Sequence, residues 1–145
     1  TMERLELLKT RLVETLNGGA KAAGCEVNIE WINEPYAEVL DNAPLLDAYM
    51  KNSESLGRVV KAPDGDGVVG STDLGNVSHV VPSIHPMVKV APRGTAIHTS
   101  DFELCAKSEE ADKGMLDSAK ALAMTVVDCW HDTALLKDAK EFFQS

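Results

Sequence analysis

The sequence is short of cysteine, of basic charge and of long apolar runs, and each shortage excludes something. Its three cysteines, Cys25, Cys105 and Cys129, are odd in number, far apart and form no CxxC pair. Neither a disulfide framework nor a cysteine zinc site is therefore expected, and a reducing compartment fits best. Fourteen Lys+Arg stand against 23 Asp+Glu, a formal net charge of -9 with a pI near 4.8. That is the wrong sign for gripping phosphate backbones or anionic lipid, so no nucleic-acid partner is expected. No apolar run approaches the roughly 18 residues of a membrane span, and Thr1-Met2-Glu3-Arg4 leads into an amphipathic stretch without a signal-peptide core. The expectation is a soluble, cytoplasmic protein that does not enter a membrane. A GxSxG elbow, an HExxH zinc motif, internal repeats and low-complexity tracts are all missing, which removes the local signatures of α/β-hydrolases and zincins and disfavours a solenoid.

What is there is ordinary globular material: 145 residues, 44% hydrophobic and 26% charged, enough for one domain with a core, or one domain plus a fragment of another. Leu5, Leu8, Leu12 and Leu16 recur at spacings of three and four and predict a helix to about Ala23, stopped by Gly24. Cys25, Val27, Ile29 and Trp31 then alternate with Glu26, Asn28 and Glu30, the pattern of a half-buried strand. One helix and one strand cannot make a stable sheet, so this unit needs completing. Pro35 and Asp41-Asn42-Ala43-Pro44 mark a break before a second amphipathic helix built on Leu45, Leu46, Tyr49, Met50 and Leu56, ended by Gly57. The turn-rich, acidic stretch Lys61–Gly70 reads as a mobile surface loop and a plausible boundary. Short strands are expected at Val77–Val81 and Met87–Val90. From Phe102 the pattern is helical again, with Met115, Ala119, Leu122, Ala123, Val126 and Trp130 on one face, then Leu135, Leu136, Ala139, Phe142 and Phe143 after a break near Asp132-Thr133.

The segment Gly70-Ser-Thr-Asp-Leu-Gly-Asn-Val-Ser-His-Val-Val-Pro-Ser-Ile-His-Pro86, with Gly94-Thr-Ala-Ile-His-Thr-Ser-Asp-Phe102, holds the residue types of a pocket wall. Glycine and small hydroxyl residues admit a close ligand, while Asp, Asn and His bring charge, amides and imidazoles. The same composition also describes a turn-rich connection with structural histidines. His98 beside Asp101 or Glu103 is not a local metal motif; ligation would need the fold to gather Asp73, Asp101, His79 or His85 around it. Ser71, Ser78 and Ser83 lie near histidines in sequence, which does not make a triad. Cys105 and Cys129, among apolar residues, read as buried and inert.

The ordered run Gly70–Pro86, the later Ile97-His98-Thr99, and Lys120-Ala-Leu-Ala-Met-Thr-Val-Val-Asp128 resemble the C-terminal third of the metal-dependent amidohydrolases of the aminoacylase and glutamate carboxypeptidase superfamily. The p-aminobenzoyl-glutamate hydrolase and β-alanyl-lysine dipeptidase branch is the nearest. The resemblance covers nearly the whole chain and implies an α/β, helix-rich C-terminal part of a two-domain metallohydrolase. Residues 1–34 would be a helix–strand remnant of a ferredoxin-like lid and dimerisation domain, and residues 35–145 the end of the catalytic α/β domain. It further implies a dinuclear zinc or manganese centre, a small amide or dipeptide-like substrate and a homodimer. His98 aligns with a late metal-ligating histidine, and Gly70, Ser71, Thr72 and Asp73 with a loop near the substrate carboxylate; Asn76, Ser78 and His85 are further pocket candidates. The other ligands, the general base and the lid histidine have no counterpart here. One imidazole cannot hold a catalytic zinc, which normally takes three protein ligands, so the chain alone is expected to be inactive. Two alternatives stay open: a stand-alone binding or dimerisation module with an exposed strand edge, and a complete small hydrolase using Asp73, His79, His85 and His98.

Overall fold

A computed structural model describes residues 1–61 and 70–144; most of the turn-rich stretch between Lys61 and Gly70, together with Ser145, lies outside the described residues. The leucine spacing at the N-terminus builds α1 (Met2–Ala22). Thr1 caps it, its hydroxyl accepting from the Arg4 N–H at 3.4 Å, which satisfies one of the amides that a first turn leaves orphaned. The helix stops where Gly24 takes φ +69°, a left-handed conformation that carries no Cβ penalty in glycine. There the Gly24 N–H donates to the Lys21 carbonyl and the Cys25 N–H to Ala20, the paired bonds of a Schellman end. α2 (Ala43–Ser55) starts on the Asn42 cap with Pro44 in its first turn, where a missing N–H is harmless. Four more helices follow: α3 (Leu74–Ser78), α4 (Ser100–Ala106), α5 (Glu109–His131) and α6 (Thr133–Gln144). Ser108 caps α5 through the Ala111 N–H at 3.2 Å, and Asp132 receives the Ala134 and Leu135 N–H groups at 2.9 and 3.2 Å to open α6.

α2, α5 and α6 pack against one another, α4 leans on α5, and α1 touches no other helix among the described residues. The interior is small and unusually polar: Tyr49, Ala111, Ala121 and Ala139 are buried alongside Asn42, Ser53, Ser78, Asp117 and Thr125. Between α2 and α5 the Tyr49 hydroxyl pairs with Ser118 Oγ at 3.3 Å, and Asn52 Nδ2 donates to Asp128 Oδ2 at 2.7 Å and Thr125 Oγ1 at 3.2 Å. No buried side-chain N or O among the described residues is left without a partner, as a polar interior requires. No described helix is long and apolar enough to cross a membrane.

Two expectations are corrected. None of the segments 25–31, 77–81 and 87–90 forms a strand, and the described residues are helical rather than α/β; the single pairing is a parallel bridge between Asp41 and Ser83. Alternation marks a segment able to pair, but ladder bonds come from a neighbouring strand, and residues 25–31 have none among the described residues. Trp31 turns back toward α1, with the Lys9 ammonium 5.1 Å from its ring centroid. Residues 77–81 close α3 and turn. α5 buries Ala111, Gly114, Asp117, Ala121 and Thr125. The face of Met115, Leu122, Val126 and Trp130 looks outward, as do Leu8, Leu12 and Leu16 of α1. The accessible surface is 11037 Å², against about 7,200 Å² for a compact monomer of this mass.

Candidate functional site

The run Gly70–Pro86 folds around one close approach. Gly75 lies so near residues 37 and 38 that a Cβ on it would overlap the Ala37 carbonyl oxygen, so the position demands glycine for space. On either side α3 is buttoned to the extended residues 35–41. Asn76 accepts from the Ala37 N–H at 2.9 Å and donates to the Pro35 carbonyl at 3.1 Å. Buried Ser78 accepts from the Leu40 N–H at 2.9 Å and donates to Gly75 O at 2.6 Å. His79 Nε2 lies 3.0 Å from the Glu38 carbonyl. Asn76 and Ser78, and Nε2 of His79, are thus engaged by backbone.

This buttoning sets the loop before α3. Gly70, Ser71 and Thr72 line an open cleft of about 410 Å³ whose opposite wall is the first turns of α1 (Arg4, Leu5, Leu8) and whose floor is residues 36–39. Thr72 Oγ1 accepts from the Leu74 N–H at 3.3 Å. Asp73 is exposed and makes no capping hydrogen bond at the start of α3. Glu38, which sequence reasoning did not single out, contributes a fixed negative charge to this cleft. Its own backbone N–H and that of Met2, at 3.0 Å, hold the carboxyl below its ordinary range. Its only signal in the sequence is a lone acid inside an extended apolar run.

His85 and His98 stand apart from that cleft. The His85 backbone N–H donates to Asp41 Oδ1 at 3.2 Å, and its side chain is exposed. His98 has φ +63°, a left-handed backbone at a non-glycine residue, which is sparsely populated and concentrates at functional sites. Its neighbour Thr99 fixes the turn, donating to the Ala96 carbonyl at 2.7 Å and accepting from the Phe102 N–H at 3.3 Å to cap α4. The exposed imidazole sits at the tip of that turn.

Among the described residues no three His, Cys, Asp or Glu side chains converge on one point. Asp73, His79, His85 and His98 are therefore not gathered into a metal centre, and the donors present do not by themselves fit a dinuclear group. The strongest charge cluster lies elsewhere and is a clamp. Asp117 receives Lys113 at 2.6 Å and Arg58 at 3.3 Å, while Arg58 also donates to the Lys89 carbonyl at 3.0 Å and so fastens residues 87–90 to α5. The Lys113 hydrogen bond, then the Arg58 one, holds the Asp117 carboxyl below its usual value. Burial, with Asp128 and Asp132 adding to it, pushes the Cys129 thiol up, which disfavours the reactive thiolate.

No protein-family model matches the chain. Individual relatives do. The chain is 38% identical to the Xaa-Arg dipeptidase of Homo sapiens and 36% identical to that of Mus musculus, each over 146 aligned residues covering 99% of this chain but 33% and 34% of the relative. A p-aminobenzoyl-glutamate hydrolase polypeptide of Escherichia coli (strain K12) is 32% identical over 77 residues, 53% of this chain and 16% of that protein. The chain spans about a third of the length of the curated dipeptidases it matches. The glycine-buttoned loop and the turn presenting His98 therefore belong to a chain of the amidohydrolase and peptidase family that includes these dipeptidases and p-aminobenzoyl-glutamate hydrolase.

Proposed function

We propose that the chain is the C-terminal part of a metal-dependent amidase or dipeptidase that cleaves the amide bond of N-acyl amino acid or dipeptide-like substrates. The observation that carries this reading is a match to two dipeptidases across 99% of the chain. On it, residues 1–34 are the end of a lid domain and residues 35–145 the end of a catalytic domain, in keeping with an α1 that packs on no other helix. His98 is one ligand of a zinc or manganese pair, whose chemistry when bound is to polarise the scissile amide and lower the pKa of water. Gly70, Ser71, Thr72 and Asp73 form the pocket loop. Asn76 and Ser78 hold that loop against residues 35–41, and His85 lies on its far side.

The remaining ligands and the general base come, on this reading, from the two thirds of the relatives that this chain does not match, and assembly of the whole enzyme is as a homodimer. The 145-residue chain should show no turnover of N-acyl amino acids, β-alanyl dipeptides or Xaa-Arg dipeptides with zinc or manganese. A longer polypeptide carrying this sequence should be active and lose at least about 100-fold in kcat/KM on His98→Ala, since even outer-shell changes at such sites cost 10- to 100-fold. Turnover by the 145-residue chain, or an active His98→Ala variant, overturns the assignment. The scattered donors equally support a stand-alone, non-catalytic binding or dimerisation module. That reading takes over if the native source holds a 15.6 kDa species and no longer product carrying peptides from residues 101–145.

A further inference from the structure

His98 keeps its left-handed backbone, φ +63°, on a turn that burial does not hold: from Pro92 to His98 every residue except Thr95 is exposed. Such a conformation is unfavourable in a residue with a Cβ and persists only where the surrounding structure over-determines it. The turn is tied at both ends to α5. At its far end Thr99 opens α4, which packs on α5. At its near end the Arg58 guanidinium forks, Nη1 donating to Asp117 Oδ2 of α5 at 3.3 Å and Nη2 to the Lys89 carbonyl at 3.0 Å. Against that carbonyl α5 sets Gly114, where a Cβ would come within 3.2 Å of the Lys89 oxygen and 3.1 Å of Val90 Cγ1. The Lys89 ammonium also approaches Glu110 at 4.0 Å, but these side chains are 67% and 69% exposed, and an ion pair so placed contributes little. Arg58 and Asp117, at 23% and 9%, make the firmer tie, and a fork fixes direction as well as distance.

We infer that Arg58 is a positioning residue for His98: by bridging Asp117 of α5 to the Lys89 carbonyl, it fixes the start of residues 89–98 so that the chain reaches α4 only with His98 left-handed and its imidazole at the tip of the turn. A short segment with both ends fixed has few conformations that join them, and freeing one end lets φ relax. Pro92, whose own φ is locked, narrows the choice further. The bearing on activity rests on the role proposed for His98; the coupling of Arg58 to the His98 backbone stands without it. The rival cause is local, the two Thr99 bonds to Ala96 and Phe102.

The test takes two readouts on the 145-residue chain: the strong intraresidue amide–Hα NMR cross-peak that a positive φ gives at His98, and the gain in folded over unfolded molecules on His98→Gly, which should be about fivefold. Arg58→Met keeps the apolar stem and deletes the fork. It should weaken the cross-peak and shrink the glycine gain below about twofold, the non-additivity of coupled sites. Arg58→Lys keeps a positive charge against Asp117, but its single nitrogen does not reproduce the spread of the two guanidinium nitrogens; it should have the same two effects at a smaller cost in stability, and it decides the matter if the methionine variant fails to fold. Lys113→Met removes the other cation on Asp117 and should lower stability while leaving the cross-peak and the gain unchanged. Absence of the cross-peak in the unaltered chain, or a cross-peak and fivefold gain that survive both Arg58 variants, overturns the inference. So does their loss in Thr99→Val alone, which would assign the turn to its local bonds. If Arg58 is coupled to His98 but His98→Ala is silent in a longer, active polypeptide, the proposed function fails and the coupling stands.

Discussion

Asn42 is 2% exposed and serves two helices at once. Its Oδ1 accepts from the Leu45 N–H at 3.4 Å where α2 begins, and its Nδ2 donates to the Ala139 carbonyl of α6 at 2.8 Å. Asn42→Ala removes both. Loss of an N-cap costs about 1 kcal/mol, and loss of a buried neutral hydrogen bond costs about 1 kcal/mol more. Ala139 lies inside α6, so its carbonyl remains available to the helix's own ladder and is not stranded; this keeps the total near 2 kcal/mol instead of about 4. Two further variants separate the roles. Asn42→Ser keeps the cap and cannot reach α6, so about half the loss should remain. Asn42→Asp keeps the cap acceptor but turns a carboxylate oxygen on the Ala139 carbonyl, so at neutral pH it should be at least as damaging as alanine. Urea unfolding followed by far-UV circular dichroism reads these differences from the midpoint and slope. A loss under about 0.5 kcal/mol for Asn42→Ala, or an aspartate variant as stable as asparagine, would refute the account of Asn42 as the pin between α2 and α6, since either outcome is smaller than one ordinary buried bond.

Three other outcomes follow from the geometry. Gly75→Ala drives a methyl into the Ala37 carbonyl, a backbone atom that cannot swing away, and should destabilise by about 2 kcal/mol or more in the same urea assay; a neutral result would mean that α3 and residues 35–40 are not closely apposed. The Asp117 carboxyl is held below its ordinary value of 3.8 by Lys113 and Arg58. Its contribution is therefore fully present above that value and disappears as pH falls through the lower folded value. Asp117→Asn should lower stability at neutral pH and flatten the acid limb of the stability profile below about pH 4; an unchanged limb assigns acid sensitivity elsewhere. His98→Gly should raise stability by about 1 kcal/mol by relieving the left-handed backbone, whereas His98→Ala should not. Equal effects of the two substitutions would show that φ at His98 carries no strain.

The helices were largely legible from the residues because their signals are local. The Leu5 to Leu16 spacing, the stops at Gly24 and Gly57 and the Pro44 start all depend on atoms within a turn or two, and α1 and α2 form where these place them. The strands were not legible for the converse reason. Alternation at Cys25–Trp31 is satisfied only by a neighbour, and Val77–Val81, with three valines, winds into the end of α3 and a turn because Gly75, Asn76 and Ser78 button it to residues 35–40. Tertiary contact overrides propensity where the two compete. For the site, composition pointed to the whole of Gly70–Pro86 with Gly94–Phe102 as wall material; of these, Gly70, Ser71 and Thr72 lie along the cleft beside α1. Nothing local could announce that Asn76 and Ser78 would turn to backbone, or that Glu38 would face the same cleft, since both depend on residues some forty positions apart.

The case of α5 goes further, because there the periodicity read correctly and burial still came out reversed. Met115, Leu122, Val126 and Trp130 do share a face, as spacing requires, yet that face meets water while Gly114 meets residues 89–90, Asp117 meets Arg58 and Thr125 meets Asn52 of α2. Hydrophobic spacing records which residues lower their free energy by leaving water; it does not record which partner is present to receive them. The close, polar α2–α5 contact is stabilised by short-range geometry: small residues, the Asn52 and Tyr49 hydrogen bonds and the Arg58 clamp. It consumes none of the large apolar groups. A helix built in this way is suited to stand as a middle layer, with a tight polar neighbour on one side and a broad apolar one on the other. α1, with Leu8, Leu12 and Leu16 exposed and no helix against it, makes the same demand from the other wall of the cleft. The two unsatisfied faces and the half-walled Gly70–Thr72 cleft therefore have one physical cause: both helices carry more apolar surface than the packing in this chain removes from water.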